Sequence, residues 1–120
     1  MVYYKPVTYS DPICVILGIV ERFSLKDQRW EQCPGMLEHR GSHGVVAIGN
    51  VLFAIGGGGL LSNLSSNEKL SCSMDNEQKW TSIASMPTAR HALVIVSHQK
   101  YIYAVGGWID GKICSSDVER

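Results

Sequence analysis

The sequence has no excess of charge of either sign: eleven lysines and arginines balance eleven aspartates and glutamates over 120 residues. Its basic residues are scattered singly, apart from short pairings such as Glu21-Arg22 and His39-Arg40. A nucleic-acid partner, which calls for a basic stripe, is therefore not expected. Long apolar runs are also missing. The run at 13–20 is interrupted at Gly18 and falls far short of the ~20 residues a helical span requires. The N-terminus lacks the ordered charged, apolar and small-residue regions of a secretory leader. Neither a membrane segment nor secretion is expected. Cys14, Cys33, Cys72 and Cys114 form no CxxC pair and no short even-spaced framework. Neither a zinc ribbon nor a disulfide scaffold is signalled, and free thiols in a reducing, cytoplasmic setting are the expectation. Asn63-Leu64-Ser65 fits the glycosylation pattern but, without a secretion signal, reads as a polar loop.

Catalytic patterns are absent as well. His39 and His43 are four residues apart but flank Arg40-Gly41-Ser42 at a strand entry, so the helical HExxH arrangement does not apply. His91 and His98 belong to no set with cysteine or carboxylate that places a nucleophile beside its base. The run Gly56–Gly59 is followed by Leu60-Leu61 where a phosphate cradle needs lysine and serine or threonine, and Leu61 breaks GxGxxG. No catalytic, cofactor-binding or metal-binding residue is expected, and the chain does not read as an enzyme.

What is present is repetition. Twelve glycines stand out, and the text recurs at an interval of 50 residues. Trp30 matches Trp80, Arg40 matches Arg90, Phe53 matches Tyr103, and Gly56-Gly57 matches Gly106-Gly107. Val20-Glu21-Arg22 reappears as Val118-Glu119-Arg120. Two repeats with slightly unequal loops explain both spacings.

Each unit reads as four short strands. Val45 to Ile48 and Leu93 to Val96 are apolar runs followed by turn residues, which predicts a strand and a hairpin turn. The next runs, at 51–55 and 101–105, are apolar throughout and rich in β-branched and aromatic residues, as in a strand covered on both faces. Both end at Gly-Gly, where a close backbone approach or a positive φ is expected. Third strands are expected around 69–74 and 116–120, and a fourth at 81–84 after a turn-rich bridge at 75–79. Trp30 and Trp80 are expected to pack inside the sheets. Four strands per ~50-residue unit is the signature of a propeller blade.

The chain thereby resembles the kelch-repeat family. Its units carry an aromatic-apolar strand ending in Gly-Gly, a valine-glutamate-arginine-aromatic stretch, a tryptophan, and methionine-proline before an arginine. Here these are Phe53 to Gly57 and Tyr101 to Gly107, Val20 to Phe23 and Val118 to Arg120, Trp30 and Trp80, and Met86-Pro87-Thr88-Ala89-Arg90. In the middle unit Leu70-Ser71-Cys72-Ser73 stands where the glutamate-bearing pattern is expected. The resemblance implies an all-β fold, a partial kelch β-propeller of about two four-stranded antiparallel blades with a degenerate N-terminal piece. It divides the chain into a non-matching segment at 1–12, a partial repeat at 13–40, a complete repeat at 41–90 and a truncated one at 91–120. Propellers close with ~4–8 blades, so a fragment, a truncated isoform or a chain completed by a partner is expected, only marginally stable alone.

Protein binding is what the resemblance implies, through the loops at 58–67 and 108–115 and the linkers at 37–43 and 87–91. On these lie Arg40, His43, Leu60, Leu61, Asn63, Arg90, His91, Trp108, Asp110 and Lys112. Arginine and tryptophan are the types most enriched in binding hot spots. Arg40 and Arg90, repeating with the fold period, have pinning of one blade to the next as their other reading. Kelch propellers often serve as the substrate-recognition half of ubiquitin-ligase adaptors beside a BTB or F-box domain, which implies a cullin-based partner. Others are actin-associated scaffolds. Kelch-like enzymes exist as copper radical oxidases or iron-dependent lyase partners, but no ExxxDxxxH occurs here.

Overall fold

A computed structural model describes residues 2–3, 17–73, 78–109 and 118–120. Among them every regular element is a strand. In chain order these are β1 (Val2–Tyr3), β2 (Val20–Ser24), β3 (Arg29–Cys33), β4 (Gly44–Ile48), β5 (Val51–Ile55), β6 (Asn67–Ser71), β7 (Trp80–Ile83), β8 (Val94–His98), β9 (Tyr101–Val105) and β10 (Val118–Glu119). They form a complete four-stranded antiparallel sheet, β4-β5-β6-β7, flanked by the three-stranded sheets β1-β2-β3 and β10-β9-β8. The all-β reading holds, with one four-stranded sheet among the described residues rather than two.

Local sequence explains the hairpins. Ile48 pairs with Val51 and His98 with Tyr101, leaving two-residue turns. Their first residues, Gly49 and Gln99, have φ of +57° and +55°, the sign that keeps the flanking strands twisted together. The apolar β5 is covered on both faces, as its composition predicts. Leu52 and Ala54 join Val20, Met36, Leu70 and Trp80 in a core against the first sheet. Phe53 and Ile55 join Ile83, Met86, Leu93, Ile95 and Ala104 in a core against the third. Hydrophobic burial thus lies between sheets, in two seams. A Cβ at Gly44 would collide with the Ile95 side chain, so the innermost strands of the second and third sheets touch directly.

Register corrects several boundaries. Ala54 pairs with Glu68 and Ala104 with Glu119, so Asn67-Glu68-Lys69 occupies the place of Val118-Glu119-Arg120, and Leu70 to Ser73 does not. The third strand accordingly starts at Asn67, two residues before the expected run. The fourth starts at Trp80, and β8 runs from Val94 to His98. Val2–Tyr3 pairs with β2 in the position β5 takes beside β6, so the start of the chain does contribute to the first sheet. Of the run at 13–18, only Leu17 and Gly18 are described; Leu17 bridges Arg40.

The two tryptophans part company. Trp80 is buried, 5% exposed, and its Nε1–H donates to the Pro34 carbonyl at 2.8 Å. Trp30 is 50% exposed, its ring tilted against Phe23 at 5.3 Å. The first sheet covers Trp80. Among the described residues no sheet covers the equivalent face of the first, where Trp30 lies half-exposed.

Candidate functional site

Linkers and loops meet along one rim, and the Gly-Gly steps let them meet. Gly56, Gly57, Gly106 and Gly107 all have positive φ, from +59° to +102°. A Cβ at Gly57 would lie 2.7 Å from the Gly41 carbonyl and from His43 Cβ; at Gly107 it would lie 2.7 Å from the His91 carbonyl. Only glycine fits both the φ and the space. The chain then leaves each step pressed against the incoming linker, in the bridges Gly41 to Gly58 and His91 to Trp108.

Arg40 and Arg90 occupy the linkers but do not reach the rim. Both are 0% exposed. The Arg40 backbone pairs with Leu17, while its guanidinium donates to Glu68 (Nη2 to Oε2, 2.7 Å) and to the carbonyls of Gly56 and Ser66, both at 2.8 Å. The same Glu68 carboxylate accepts the Leu37 and Glu38 N–H groups at 2.6 and 3.0 Å. A buried charge needs such full pairing. Arg90 repeats the device between the second and third sheets. Its carbonyl accepts from the Gly57 N–H at 2.8 Å, and its guanidinium meets the Gly106 carbonyl at 2.7 Å and Glu119 at 3.0 Å. Of the two readings of Arg40 and Arg90, the structure places both where they pin one sheet to the next, buried away from a partner. Glu68 was missed because the residues on either side of it differ from the valine and arginine of the motif; its cross-strand place opposite the alanine of the Gly-Gly strand would have marked it.

His43 is also turned inward. Burial, seconded by the Arg40 charge and opposed by Glu68, lowers its pKa from 6.5 to about 4, so the ring is neutral near pH 7. A neutral ring keeps one N–H to donate but brings no positive charge to a partner.

Of the other predicted residues, Leu60, Leu61, Asn63, His91 and Trp108 lie along the rim. Asn63 Nδ2 donates to the Trp108 carbonyl at 3.1 Å, and its Oδ1 lies 2.7 Å from His91 Nδ1. The Trp108 carbonyl can only accept, which orients the Asn63 amide and assigns the proton to His91 Nδ1. This cluster ties the loop of the second sheet to the linker and loop of the third. Beside it, Leu60 and Leu61 are exposed, Leu61 completely, and Trp108 is 43% exposed. An open groove of about 450 Å³ runs between Leu37, Glu38 and His39 of one linker and Gly59 to Ser62 and Leu64 of the loop. Exposed large apolar side chains beside a polar network are the makings of a protein contact. Asp110 and Lys112 lie outside the described residues. Among the described residues no group of three or more His, Cys, Asp or Glu is placed to hold a metal, and no helix is long and apolar enough to cross a membrane.

Residues 39–87 match the family model of the kelch motif. Over 86 residues the chain is 33% identical to alpha-scruin of Limulus polyphemus, a stretch that is 71% of this chain and 9% of that protein. The chain spans under a tenth of the length of the curated relative it matches.

Proposed function

Since the chain belongs to the kelch-repeat family, we propose that it is a protein-interaction module that holds its partner at the rim of Leu60, Leu61, Asn63, His91 and Trp108. The observation that carries this reading is the juxtaposition of fully exposed leucine and half-exposed tryptophan with the Asn63–His91 pair, on a scaffold whose linker arginines, Arg40 and Arg90, are spent on holding the sheets together. The apolar side chains supply affinity, and the neighbouring loop polar groups supply orientation. The partner offers an extended or loop segment with apolar side chains rather than a strongly acidic one, because neither arginine nor a cationic His43 is available to it.

The finer reading is substrate recognition for a ubiquitin-ligase adaptor in the cytoplasm, with a cullin-based ligase recruited through a companion domain. Actin filaments are the other partner that kelch resemblance implies. Leu61→Asp together with Trp108→Ala, in the full-length protein that carries this segment, should abolish capture of its substrate while leaving its cullin association and thermal midpoint unchanged. Co-sedimentation with actin filaments, lost in the same variant and without cullin co-purification, would assign the rim to the scaffold role. Undiminished capture of every partner by the double variant would rule out this rim.

A further inference from the structure

Two of the four cysteines look into the first seam from opposite sides. On the first sheet, Cys33 ends β3 as the cross-strand partner of Val20. It is half-buried and packs against the core that Val20 shares with Leu70 and Trp80. On the second sheet, Cys72 follows β6. Its N–H donates to the Asn50 carbonyl at 2.7 Å, which extends the β5–β6 ladder one residue beyond Ser71. Alternation along an extended strand puts residues two apart on one face, so Cys72 shares the face of Glu68 and Leu70. That face is turned to the first sheet and its linker. Glu68 accepts from Arg40 and from the Leu37 and Glu38 N–H groups, and Leu70 joins the Val20 core. The Cys72 thiol leans back along its strand, 3.9 Å from the Leu70 carbonyl, and is exposed.

Charge puts the two thiols in one neighbourhood as well. Arg22 lies two residues beyond Val20, on the same face of the first sheet. Its guanidinium is held protonated first by Glu31, whose carboxylate it meets at 2.8 Å, and further by the charge that Cys33 and Cys72 each carry when ionised. Burial pushes the Cys33 thiol up; Arg22 opposes this, and a charge on Cys72 adds to it. Cys33 is therefore a sheltered, protonated thiol near pH 7. An exposed thiol poised beside a second one is the arrangement of an oxidisable cysteine and its resolving partner.

We propose that Cys33 and Cys72 form a reversible disulfide in the presence of a hydroperoxide, a strap across the first seam that locks the first sheet to the second. The Cys72 thiolate attacks one peroxide oxygen and breaks the O–O bond. Cys72 becomes a sulfenic acid, and the departing oxygen takes up the proton lost from the thiol. The Cys33 sulfur then attacks the Cys72 sulfur. The S–S bond forms, the S–O bond breaks, and the hydroxyl leaves as water with the Cys33 proton. The two thiols lose two electrons in all, which reduce the peroxide. A thiol reductant reverses the strap by exchange. The strap uses none of Leu60, Leu61, Asn63, His91 and Trp108 and stands whether or not the rim binds a partner.

The test treats the folded 120-residue protein with one equivalent of hydrogen peroxide, blocks the remaining thiols and maps the tryptic peptides. Linkage of peptide 30–40 to peptide 70–79 within one chain, reversed by dithiothreitol, is the expected result. In a Cys14→Ser, Cys114→Ser background, oxidation should raise the thermal midpoint on the order of 10 °C, because the strap restricts the unfolded chain. Cys72→Ser, at an exposed side chain, should leave the reduced midpoint unchanged and abolish that rise. Both thiols remaining free, a link formed only between two chains, or preferential pairing with Cys14 or Cys114 would overturn the proposal. So would oxidation of Cys72 to a sulfinic acid while Cys33 stays a thiol, or an equal rise of the midpoint in Cys72→Ser.

Discussion

The two seams of this molecule are built from equivalent positions and differ, among the described residues, in what fills them. Between the first and second sheets, an indole fills the space and Arg40 is paired with a carboxylate as buried as itself. Between the second and third, a cavity stands in the indole's place, and the carboxylate facing Arg90 belongs to Glu119, whose side chain keeps 17% of its exposure against 2% for Glu68. The comparison teaches that the repeat does not stabilise each sheet from within. It stabilises junctions: Met36 and Arg40 of one unit meet Trp80 and Glu68 of the next, and Met86 and Arg90 meet Ala104 and Glu119.

The comparison can be broken hardest at its buried charges. Arg40→Ala leaves Glu68 desolvated without its cation and is expected to cost about 3–5 kcal/mol, read as a fall in the urea midpoint at constant slope. Arg90→Ala should cost less, roughly 1–3 kcal/mol, because Glu119 regains water more readily. Equal losses would show that the seams are equivalent in energy as well as in position. Trp80→Ala should remove about 3–5 kcal/mol by opening the filled seam, whereas Trp30→Ala, at a half-exposed ring, should cost about a third of that or less.

A pH titration sharpens the first seam specifically. The His43 imidazole is held at about 4, against 6.5 when solvated, chiefly by burial. The unfolded chain therefore takes up a proton that the folded chain refuses until about pH 4. The stability tied to this residue is whole above pH 6.5 and drains as pH falls from 6.5 toward 4. His43→Gln should flatten the thermal midpoint across that window; a slope unchanged by the substitution would assign the acid sensitivity elsewhere. The smallest expected effect concerns the hairpins. Gln99 holds the positive φ that Gly49 holds in the middle sheet, so Gln99→Gly should stabilise by roughly 0.5–1 kcal/mol, relieving left-handed strain at some entropic cost.

Much of this was legible in the text of the chain. The strands at 51–55 and 101–105 announce themselves by unbroken apolar composition and a terminal Gly-Gly, and both lie where that pattern puts them, with the glycines at positive φ. The rim residues Asn63, His91 and Trp108 were legible as loop residues, though not as a bonded cluster, since a contact 45 residues apart leaves no local trace. Other features were hidden for physical reasons. Charge reads as surface, so Arg40 and Arg90 looked available, and only the placement of Glu68 and Glu119 across the ladders explains their burial. Glu68 itself was obscured by a loop one residue shorter than its counterpart and by altered neighbours. Trp30 and Trp80 are identical as text; what separates them is a sheet that, among the described residues, covers one and not the other.

The central claim is that units 50 residues apart stack face to face as equivalent sheets, and nuclear Overhauser contacts test it most directly. The account predicts cross-peaks between the Ile95 side chain and the Gly44 α-protons, and between the Trp80 indole N–H and residues 34–36, in the same folded sample. Sheets formed with their internal ladders intact but without either set of cross-peaks would contradict it.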